Sequence, residues 1–419
     1  MTTETEPTRE ELDALLASIF LTPEGKEDPY PSYATIREAT PLHHSTFGFV
    51  VATRYNDCQQ ILRDNRCGRG ENTIDASAFG LTDEEFDARF PRRGEVSESM
   101  LVLDPPDHTR LRGLVSKAFT PRTVESLKPR IDQLTNDLLE PLEGEVDVIP
   151  AIALKLPITV IGEMLGVPRE DHAALLPHVK VVIRSLATLE ANLEEFAEIY
   201  AAGNVIADYF RGLAAEKRVA PTDDLLTELV HAEDAGDRLT ESELIATVIL
   251  LFVAGYETTT NLIGNGLRAL LLHPDQLQGI RDDRTLLRPA IEEMLRFDSP
   301  VQLTGRRVLA MGVELDGPTL EPNTEIIVML GAANRDPRVY QRPDVFDITR
   351  AESPPLSFSA GIHYCLGAAL ARTEGHIVFD AMLRRYSTIE PAWSDDSPPV
   401  YRDSVVLRGL ERLPVTLHH

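Results

Sequence analysis

The hydrophobic pattern of the chain is mostly helical. Apolar residues recur every three or four positions over long segments, and prolines end several of these segments because proline cannot donate the helical hydrogen bond. The longest run begins after Thr240, which with Glu243 forms a capping-box sequence, and it stops before Pro274. The pattern predicts helices over residues 33–39, 108–119, 121–140, 158–165, 173–215, 223–232, 241–272, 286–297 and 365–386.

Short alternating or β-branched runs break this helical texture. They predict strands over residues 49–52, 308–315 and 325–329, whereas residues 69–103 are polar, lack a clear period and are expected to form a long loop. We find no internal repeat and no low-complexity linker. We therefore predict one domain over residues 1–419, mainly α with small β-sheets, whose β-rich portion lies at about 301–350 and near both ends.

Composition narrows the class of protein. The net charge of −26 opposes binding to nucleic acid and to anionic lipid, so an acidic partner would need a local basic patch. Three cysteines are too few for a disulfide framework and lack metal-finger spacing, which favours a reducing cytosol. The polar start is unlike a signal peptide, and the apolar stretch 244–255 is too short to span a bilayer. We expect a cytoplasmic protein that binds neither nucleic acid nor membrane.

The most informative segment runs from residue 358 to residue 367. A lone free cysteine usually packs as a small hydrophobe, but the surroundings of Cys365 are unusual. Gly361 permits a tight turn before Cys365, and Gly367 has no side chain just after the cysteine. Together they give the clearance that a flat macrocycle would need. We expect Cys365 to open the last helix, where unpaired N–H groups would stabilise a thiolate.

This segment resembles the haem-binding loop of the cytochrome P-450 superfamily, which it matches at Phe358, Gly361, His363, Cys365 and Gly367. Ser359 replaces a glycine that is common in bacterial members. The resemblance implies a cytochrome P-450 fold with haem b between the long central helix and the cysteine-ligand helix. It also implies Cys365 as the axial ligand of the iron, and thiolate ligation favours cleavage of the O–O bond.

A polar stretch interrupts the long helix at residues 254–259. An acid and hydroxyls inside an apolar helix are costly when buried without partners, and although a solvent-facing stripe would explain them, the apolar flanks argue against full exposure. The stretch resembles the oxygen-activation motif of the family. The resemblance implies Glu257 and Thr258 as an acid–alcohol proton relay, with Ala254 and Gly255 against the haem face.

Two sets of charged residues follow from the same resemblance. Glu293 and Arg296 form a pair that is common on surface helices, but in the family such a pair joins a later arginine, here Arg350, in a structural network. Haem propionates need cationic or N–H partners. Family positions assign this role to His108, Arg112, Arg307 and His363, with Arg306 as the alternative if the alignment slips by one residue.

The substrate walls are expected to be apolar, which suits a lipophilic small molecule. Helix 173–200 and the 69–103 loop are the expected lid. Each wall residue could equally belong to the ordinary core. By position in the family the walls are Met100, Leu101, Leu250, Val253, Val301, Leu303 and Val405.

The source of electrons is expected to lie outside the chain, which has no flavin or nicotinamide motif. Soluble bacterial relatives use a ferredoxin and a ferredoxin reductase, and we expect the same partners and a monomer. The candidate docking patch for an acidic ferredoxin consists of Arg66, Arg110, Lys117, Arg122 and Arg372.

Three functions compete at this point. The leading hypothesis is an O2-dependent monooxygenase that hydroxylates or epoxidises a hydrophobic molecule. A haem-thiolate sensor without turnover would not need Glu257 and Thr258, and a helical lipid-binding module without cofactor would leave the Cys365 loop unexplained.

Overall fold

The computed structural model describes residues 7–70, 76–92, 95–117, 119–187, 192–231, 233–234, 237–309, 312–315, 319–394 and 396–419. Its helices are α1 (Arg9–Leu21), α2 (Pro23–Glu27), α3 (Tyr30–Ala39), α4 (Tyr55–Arg63), α5 (Asp83–Arg89), α6 (Asp107–Ser116), α7 (Pro121–Leu139), α8 (Lys155–Met164), α9 (Arg169–Ala187), α10 (Leu193–Val219), α11 (Leu225–His231), α12 (Glu241–Leu272), α13 (Pro274–Asp282), α14 (Leu287–Phe297), α15 (Leu330–Ala333) and α16 (Ala368–Arg385). Its strands are β1 (Leu42–His44), β2 (Val50–Ala52), β3 (Cys67–Gly68), β4 (Gly144–Asp147), β5 (Glu233–Asp234), β6 (Asp237–Arg238), β7 (Leu303–Val308), β8 (Glu325–Met329), β9 (Thr388–Pro391) and β10 (Pro414–His418). The prediction of a mainly helical protein with small sheets is confirmed.

The chain divides into two compact units. The first, here called the β-rich unit, comprises Met1–Arg69, Asp132–Ala153 and Thr258–His419. The second, the helical unit, comprises Gly70–Ile131 and Leu154–Glu257.

The β-rich unit contains a five-stranded sheet and a three-stranded sheet. Its larger sheet has the strand order β1-β2-β8-β7-β3, in which β2 and β8 are parallel and the other pairs are antiparallel. The smaller sheet has the order β4-β10-β9. Apolar residues of α1 and α3 cover the larger sheet, where Leu16 and Ile36 pack with Val51, Leu303 and Met329.

The helical unit is held together by helix packing and by an aromatic cluster. Phe86 of α5 and Phe90, which directly follows α5, contact Phe196 of α10, with ring centroids 5.2 and 4.9 Å from that of Phe196. Helix α12 approaches α8 closely at Gly255, where an added methyl group would lie 3.1 Å from Ile161. A larger residue at position 255 would push these two helices apart.

Helix α12 matches its prediction from the first residue to the last. Its capping box forms, since Glu243 N donates to Thr240 Oγ1 at 3.3 Å and Thr240 N donates to Glu243 Oε2 at 2.8 Å. The helix is long and apolar enough to span a membrane, but 67% of its most apolar window is buried inside the protein, as in a core helix.

Other predictions of elements were wrong. The single helix predicted over 173–215 is two helices, α9 and α10, and the long loop predicted over 69–103 contains α5. Helix α13 was not predicted. The strand predicted over 308–315 is also wrong, because β7 ends at Val308 and, among the described residues that follow it, Val313 forms an isolated bridge to Leu320.

Candidate active site

The cysteine loop lies in the β-rich unit and is built from tight turns. A 3-10 turn at Leu356–Phe358 leads into a second turn at Gly361–His363, and Cys365 N donates to Phe358 O at 3.0 Å. Gly361 has φ +70°, and a methyl group there would collide with the carbonyl of Leu62 at the end of α4. Glycine therefore lets this loop pack against α4.

Ser359 is the unusual residue of the loop. Its backbone has φ 61° and ψ −162°, a conformation that glycine adopts without strain and other residues rarely adopt. Its hydroxyl is buried and has no hydrogen-bond partner among the described residues. Serine thus occupies a position at which the backbone conformation favours glycine.

Cys365 does not open the last helix, contrary to the prediction. Helix α16 begins at Ala368, and Ala368 N contacts Cys365 O at 3.4 Å, so the cysteine lies three residues before the helix. The dipole of α16 is therefore a weaker source of thiolate stabilisation than we predicted.

Cys365 is the accessible thiol of the chain. Its side chain is exposed, whereas Cys58 and Cys67 are buried. Burial raises the pKa of Cys67 to about 11 and raises the pKa of Cys58 well above its ordinary value. A side chain at Gly367 would enter open space, so this residue leaves clearance beside Cys365.

Phe358 and Arg372 form a stacked pair beside the loop. The guanidinium carbon of Arg372 lies 4.4 Å from the centre of the Phe358 ring. The same guanidinium donates to Glu292 Oε2 on α14 at 2.9 Å and to Tyr364 Oη at 3.2 Å. Arg372 was predicted to serve a docking patch, but the structure already pairs it with a carboxylate and stacks it on a ring.

Two neighbouring arginines of β7 point to opposite faces of the sheet. Arg306 is buried, and its Nη1 donates to Thr304 Oγ1 at 3.3 Å and to Gly305 O at 2.8 Å. Arg307 is 37% exposed and forms an ion pair with Glu325 on β8. Arg306 is therefore the inward-facing member of the pair, whereas Arg307 lies at the surface.

Glu293 is the centre of a buried charge network. Its carboxylate accepts Arg296 Nε at 2.6 Å and Arg350 Nε at 3.1 Å, and it also accepts the backbone N–H of Asp347 at 2.8 Å. Arg296 further donates to the carbonyl of Asn334 at 2.9 Å. The three predicted charges thus join α14 to the segment that precedes the cysteine loop.

A stripe of partly accessible residues runs along α12. Leu250, Ala254 and Thr258 are half-buried at four-residue spacing, whereas Val253 and Glu257 are buried. Residues four apart share one helix face, so Thr258 ends an otherwise apolar face. Glu257 is adjacent in sequence and 5% exposed.

The remaining cofactor residues predicted from the sequence lie on two elements. His108 of α6 is buried, and Arg112 lies one turn later and is half-buried. Both belong to the helical unit. In the β-rich unit His363 is half-buried in the cysteine loop.

The predicted substrate walls differ in their surroundings. In the β-rich unit Val301 pairs with Leu407 in an isolated bridge, and both Val301 and Val405 are half-buried. Leu303 instead packs in the core with Leu16 and Met329, so we remove it from the candidate walls. In the helical unit Leu101 is half-buried and Met100 is buried.

The donor set of the β-rich unit fits haem b. Haem iron takes a thiolate ligand, which the exposed Cys365 can supply. Its two propionates need cationic or N–H partners, and Arg306 and His363 are residues of that chemistry. The sequence alone leaves open which of Arg306 and Arg307 points inward, because the register of β7 decides this.

Comparison with known proteins gives a family for this arrangement. A family model described as "Cytochrome P450" matches residues 188–412. Cytochrome P450 107B1 of Saccharopolyspora erythraea is 44% identical over 402 residues, which cover 93% of this chain and 95% of that protein.

Solved structures agree along almost the whole chain. P450BioI in complex with an acyl carrier protein ligated to hexadec-9Z-enoic acid has a TM-score of 0.85 at 34% identity and covers 94% of this chain and 99% of its own. Myxobacterial CYP267B1 in complex with myristic acid has a TM-score of 0.84 at 36% identity and covers 96% of this chain and 99% of its own. The chain therefore belongs to the cytochrome P450 family, and it is an oxidoreductase of the bacterial monooxygenase type that binds haem b.

Proposed function

We propose that this cytochrome P450 uses O2 and two electrons from a ferredoxin and its reductase to hydroxylate or epoxidise a hydrophobic small molecule. In a hydroxylation, one oxygen atom enters a C–H bond, and the other leaves as water with two protons and the two electrons. The observation that supports O2 chemistry best is Thr258, the polar end of an otherwise apolar accessible face of α12, with the buried carboxyl group of Glu257 next to it in sequence.

The cofactor roles rest on the residues described above. When bound, thiolate-ligated haem supplies the activation of O2. We propose that Cys365 would supply the thiolate to the haem iron, that Phe358 and Gly367 lie beside it in the loop, and that Ala254 and Gly255 would also contact the haem. For the propionates we propose His108, Arg112, Arg306 and His363, with Arg306 in place of Arg307.

Glu257 and Thr258 divide the proton transfer between them. Thr258 is the half-buried member, so its Oγ1 would be the group that delivers the proton into the pocket. The carboxyl group of Glu257 is shielded from bulk water and would return a proton to Thr258 Oγ1. Relatives that use peroxide typically lack such a pair, which favours O2 with separately supplied electrons.

The substrate would be lipophilic. Leu250, Leu101, Val301 and Val405 are apolar and half-buried, so each can contact a small molecule as well as its own core. Two similar structures carry fatty acyl ligands, which agrees with an apolar substrate for this chain. We propose that the whole chain works as one cytoplasmic, monomeric P450 domain.

Ferredoxin docking would rely on fewer basic residues than the sequence suggested. Arg66, Arg110 and Arg372 each pair with a carboxylate, on Asp64, Glu243 and Glu292 respectively. An ion-paired guanidinium attracts an acidic partner less strongly than an exposed single charge. Lys117 and Arg122 are exposed, and both stay in the proposed patch.

The coupling of oxygen consumption to product formation tests the proton relay. Thr258→Ala should lower the yield of oxidised product per O2 several-fold, and Thr258→Ser, which retains a hydroxyl, should restore most of it. Thr259→Ala is the matched control, because it removes the same groups one position further along α12 and should leave coupling unchanged. Unchanged coupling in Thr258→Ala would refute the relay.

A further inference from the structure

Asn334 lies directly after α15 in the β-rich unit, and its side chain is fully buried. Its Oδ1 accepts the N–H of Leu356 at 2.7 Å, and its Nδ2 donates to Ser299 Oγ at 2.7 Å and to Ser357 Oγ at 2.9 Å. An amide nitrogen carries two hydrogens, so both are used. One side chain therefore joins the residues after α14 to the start of the cysteine loop.

The two serines fix the orientation of this amide group. Ser299 Oγ donates to Leu295 O at 2.8 Å, and Ser357 Oγ donates to the same oxygen at 2.6 Å. A hydroxyl group has one hydrogen, so each serine accepts the hydrogen bond that it shares with Asn334. The N–H of Leu356 is a further donor and requires the amide oxygen. The site thus needs two donors and one acceptor, which a carboxylate or a single hydroxyl does not supply.

The contacts of Asn334 hold the turn that carries the backbone partner of Cys365. They are made to the first two residues of the 3-10 turn Leu356–Phe358, and Phe358 O at the end of this turn accepts Cys365 N at 3.0 Å. The next residue, Ser359, has φ 61°, a conformation that is strained for a residue other than glycine. Such a conformation persists only where the surrounding contacts hold it, so the loop depends on this turn being fixed.

The backbone of Asn334 connects the same turn to the buried charge network. Arg296 Nη1 donates to Asn334 O at 2.9 Å, and Arg296 Nε donates to Glu293 Oε2 at 2.6 Å. Asn334 therefore contacts the charge network through its carbonyl and the cysteine loop through its side chain.

We propose that Asn334 is a positioning residue for the thiolate ligand: it fixes the turn at 356–358, and this turn holds Cys365 where its sulfur would reach the haem iron. This inference rests on the proposed role of Cys365 as the axial ligand. Asn334 acts through the loop, and two of its three side-chain hydrogen bonds are made to that loop. Because the network is buried, removing one member leaves its partners unpaired instead of exchanging them for water.

The reduced carbon monoxide complex of the holoenzyme tests this role. In Asn334→Ala, the strongly red-shifted Soret band that marks thiolate ligation should disappear about tenfold faster or more in buffer without denaturant, the size expected for loss of one or two buried hydrogen bonds. The matched control is Asn265→Ala. Asn265 is also buried, and its Nδ2 donates to the carbonyls of Asp298 and Arg408, so its loss should lower stability without shortening the lifetime of the band.

The reduction potential of the bound haem separates positioning from a purely structural role. A thiolate donates electron density to iron, so a less well placed sulfur should raise the potential in Asn334→Ala, whereas Asn265→Ala should keep the wild-type value. A purely structural role would lower the free energy of unfolding in both variants and leave the potential unchanged. The assignment would be overturned if Asn334→Ala matched the wild type in band lifetime and potential, or if Asn265→Ala changed both equally.

Two serine variants keep the test decisive if Asn334→Ala does not fold. Both serines donate to Leu295 O and accept from Asn334, but Ser357 belongs to the turn of the cysteine loop and Ser299 does not. Ser357→Ala should therefore shorten the lifetime of the red-shifted band, and Ser299→Ala should leave it unchanged. Equal lifetimes in the two variants would overturn the assignment. A wild-type protein that bound no haem with thiolate ligation would instead refute the proposed function, which is a different result.

Discussion

Replacing Ser359 by glycine should stabilise the protein, because the cysteine loop holds this residue in a backbone conformation that suits glycine. Ser359 has φ 61° and ψ −162°, and its buried hydroxyl has no hydrogen-bond partner among the described residues. Glycine removes both the steric conflict of the Cβ atom and the unsatisfied hydroxyl. The substitution leaves the contact of Cys365 N with Phe358 O in place.

The change in the free energy of unfolding is the balance of two stabilising contributions and one destabilising contribution. A non-glycine residue in this region costs about 1–3 kcal/mol. An unsatisfied buried hydroxyl adds about 1–3 kcal/mol. Against these, glycine gives the unfolded chain more freedom, which costs about 0.4–1 kcal/mol. The free energy of unfolding should therefore rise by about 1–3 kcal/mol in Ser359→Gly, taking the lower part of each favourable range.

Urea unfolding of wild type, Ser359→Ala and Ser359→Gly would measure this effect. Alanine removes the hydroxyl but keeps the Cβ atom, so its gain should be about 1 kcal/mol and its midpoint should lie between the other two. Both variants should keep the strongly red-shifted Soret band of the reduced carbon monoxide complex. If Ser359→Gly were no more stable than Ser359→Ala, the backbone argument would be wrong and the hydroxyl alone would explain any gain.

The other predictions concern buried charge and partner docking. Burial of the Glu374 carboxyl group, whose Oε2 has no hydrogen-bond partner among the described residues, raises its pKa to about 8. Between its ordinary value and about 8 the folded protein keeps the proton that the unfolded chain releases, so stability should fall with rising pH by up to about 1.4 kcal/mol per unit. Unfolding measured from pH 5 to pH 8 should show a smaller slope in Glu374→Gln, and equal slopes would contradict the buried acid. Glu293→Gln should cost about 3–5 kcal/mol in urea unfolding because Arg296 and Arg350 lose their shared carboxylate. Glu292→Gln, which breaks a half-exposed pair one residue earlier, should cost about 1 kcal/mol or less, and equal losses would refute this reasoning. Turnover with ferredoxin should fall as salt is raised, and salt-independent turnover would remove support for charged docking.

Local signals in the sequence predicted the elements that depend on neighbouring residues. Helix α12 could be bounded correctly because Thr240 and Glu243 cap its start and Pro274 follows its end. The loop around Cys365 could be identified because its glycines and its ligand lie within ten residues. Helices α9 and α10 were merged because the apolar period continues on both sides of their break, and periodicity alone does not detect a change of direction.

Features that depend on strand pairing could not be predicted in the same way. Whether Arg306 or Arg307 faces inward depends on the register of β7 against β3 and β8, and a shift of one residue reverses every side chain. The pairing also brings Arg69 to a residue 236 positions away in sequence, since Arg69 Nη1 donates to Gly305 O at 3.0 Å. No local sequence motif indicates a contact between residues so far apart in the chain.

The difference in predictability between the chemistry and the substrate has a physical origin. The segment that leads into the cysteine loop is held by directional bonds: Asn334 Oδ1 accepts Leu356 N at 2.7 Å, and Asn334 Nδ2 donates to Ser357 Oγ at 2.9 Å. Such bonds require particular side chains at particular positions, so they leave a recognisable sequence. Apolar packing requires only volume and shape, which is why Leu303 could be predicted as a pocket wall although it lies in the core. The substrate of this enzyme therefore has to be identified from spectral shifts on binding, since many apolar residues would serve equally well in the walls of the substrate pocket.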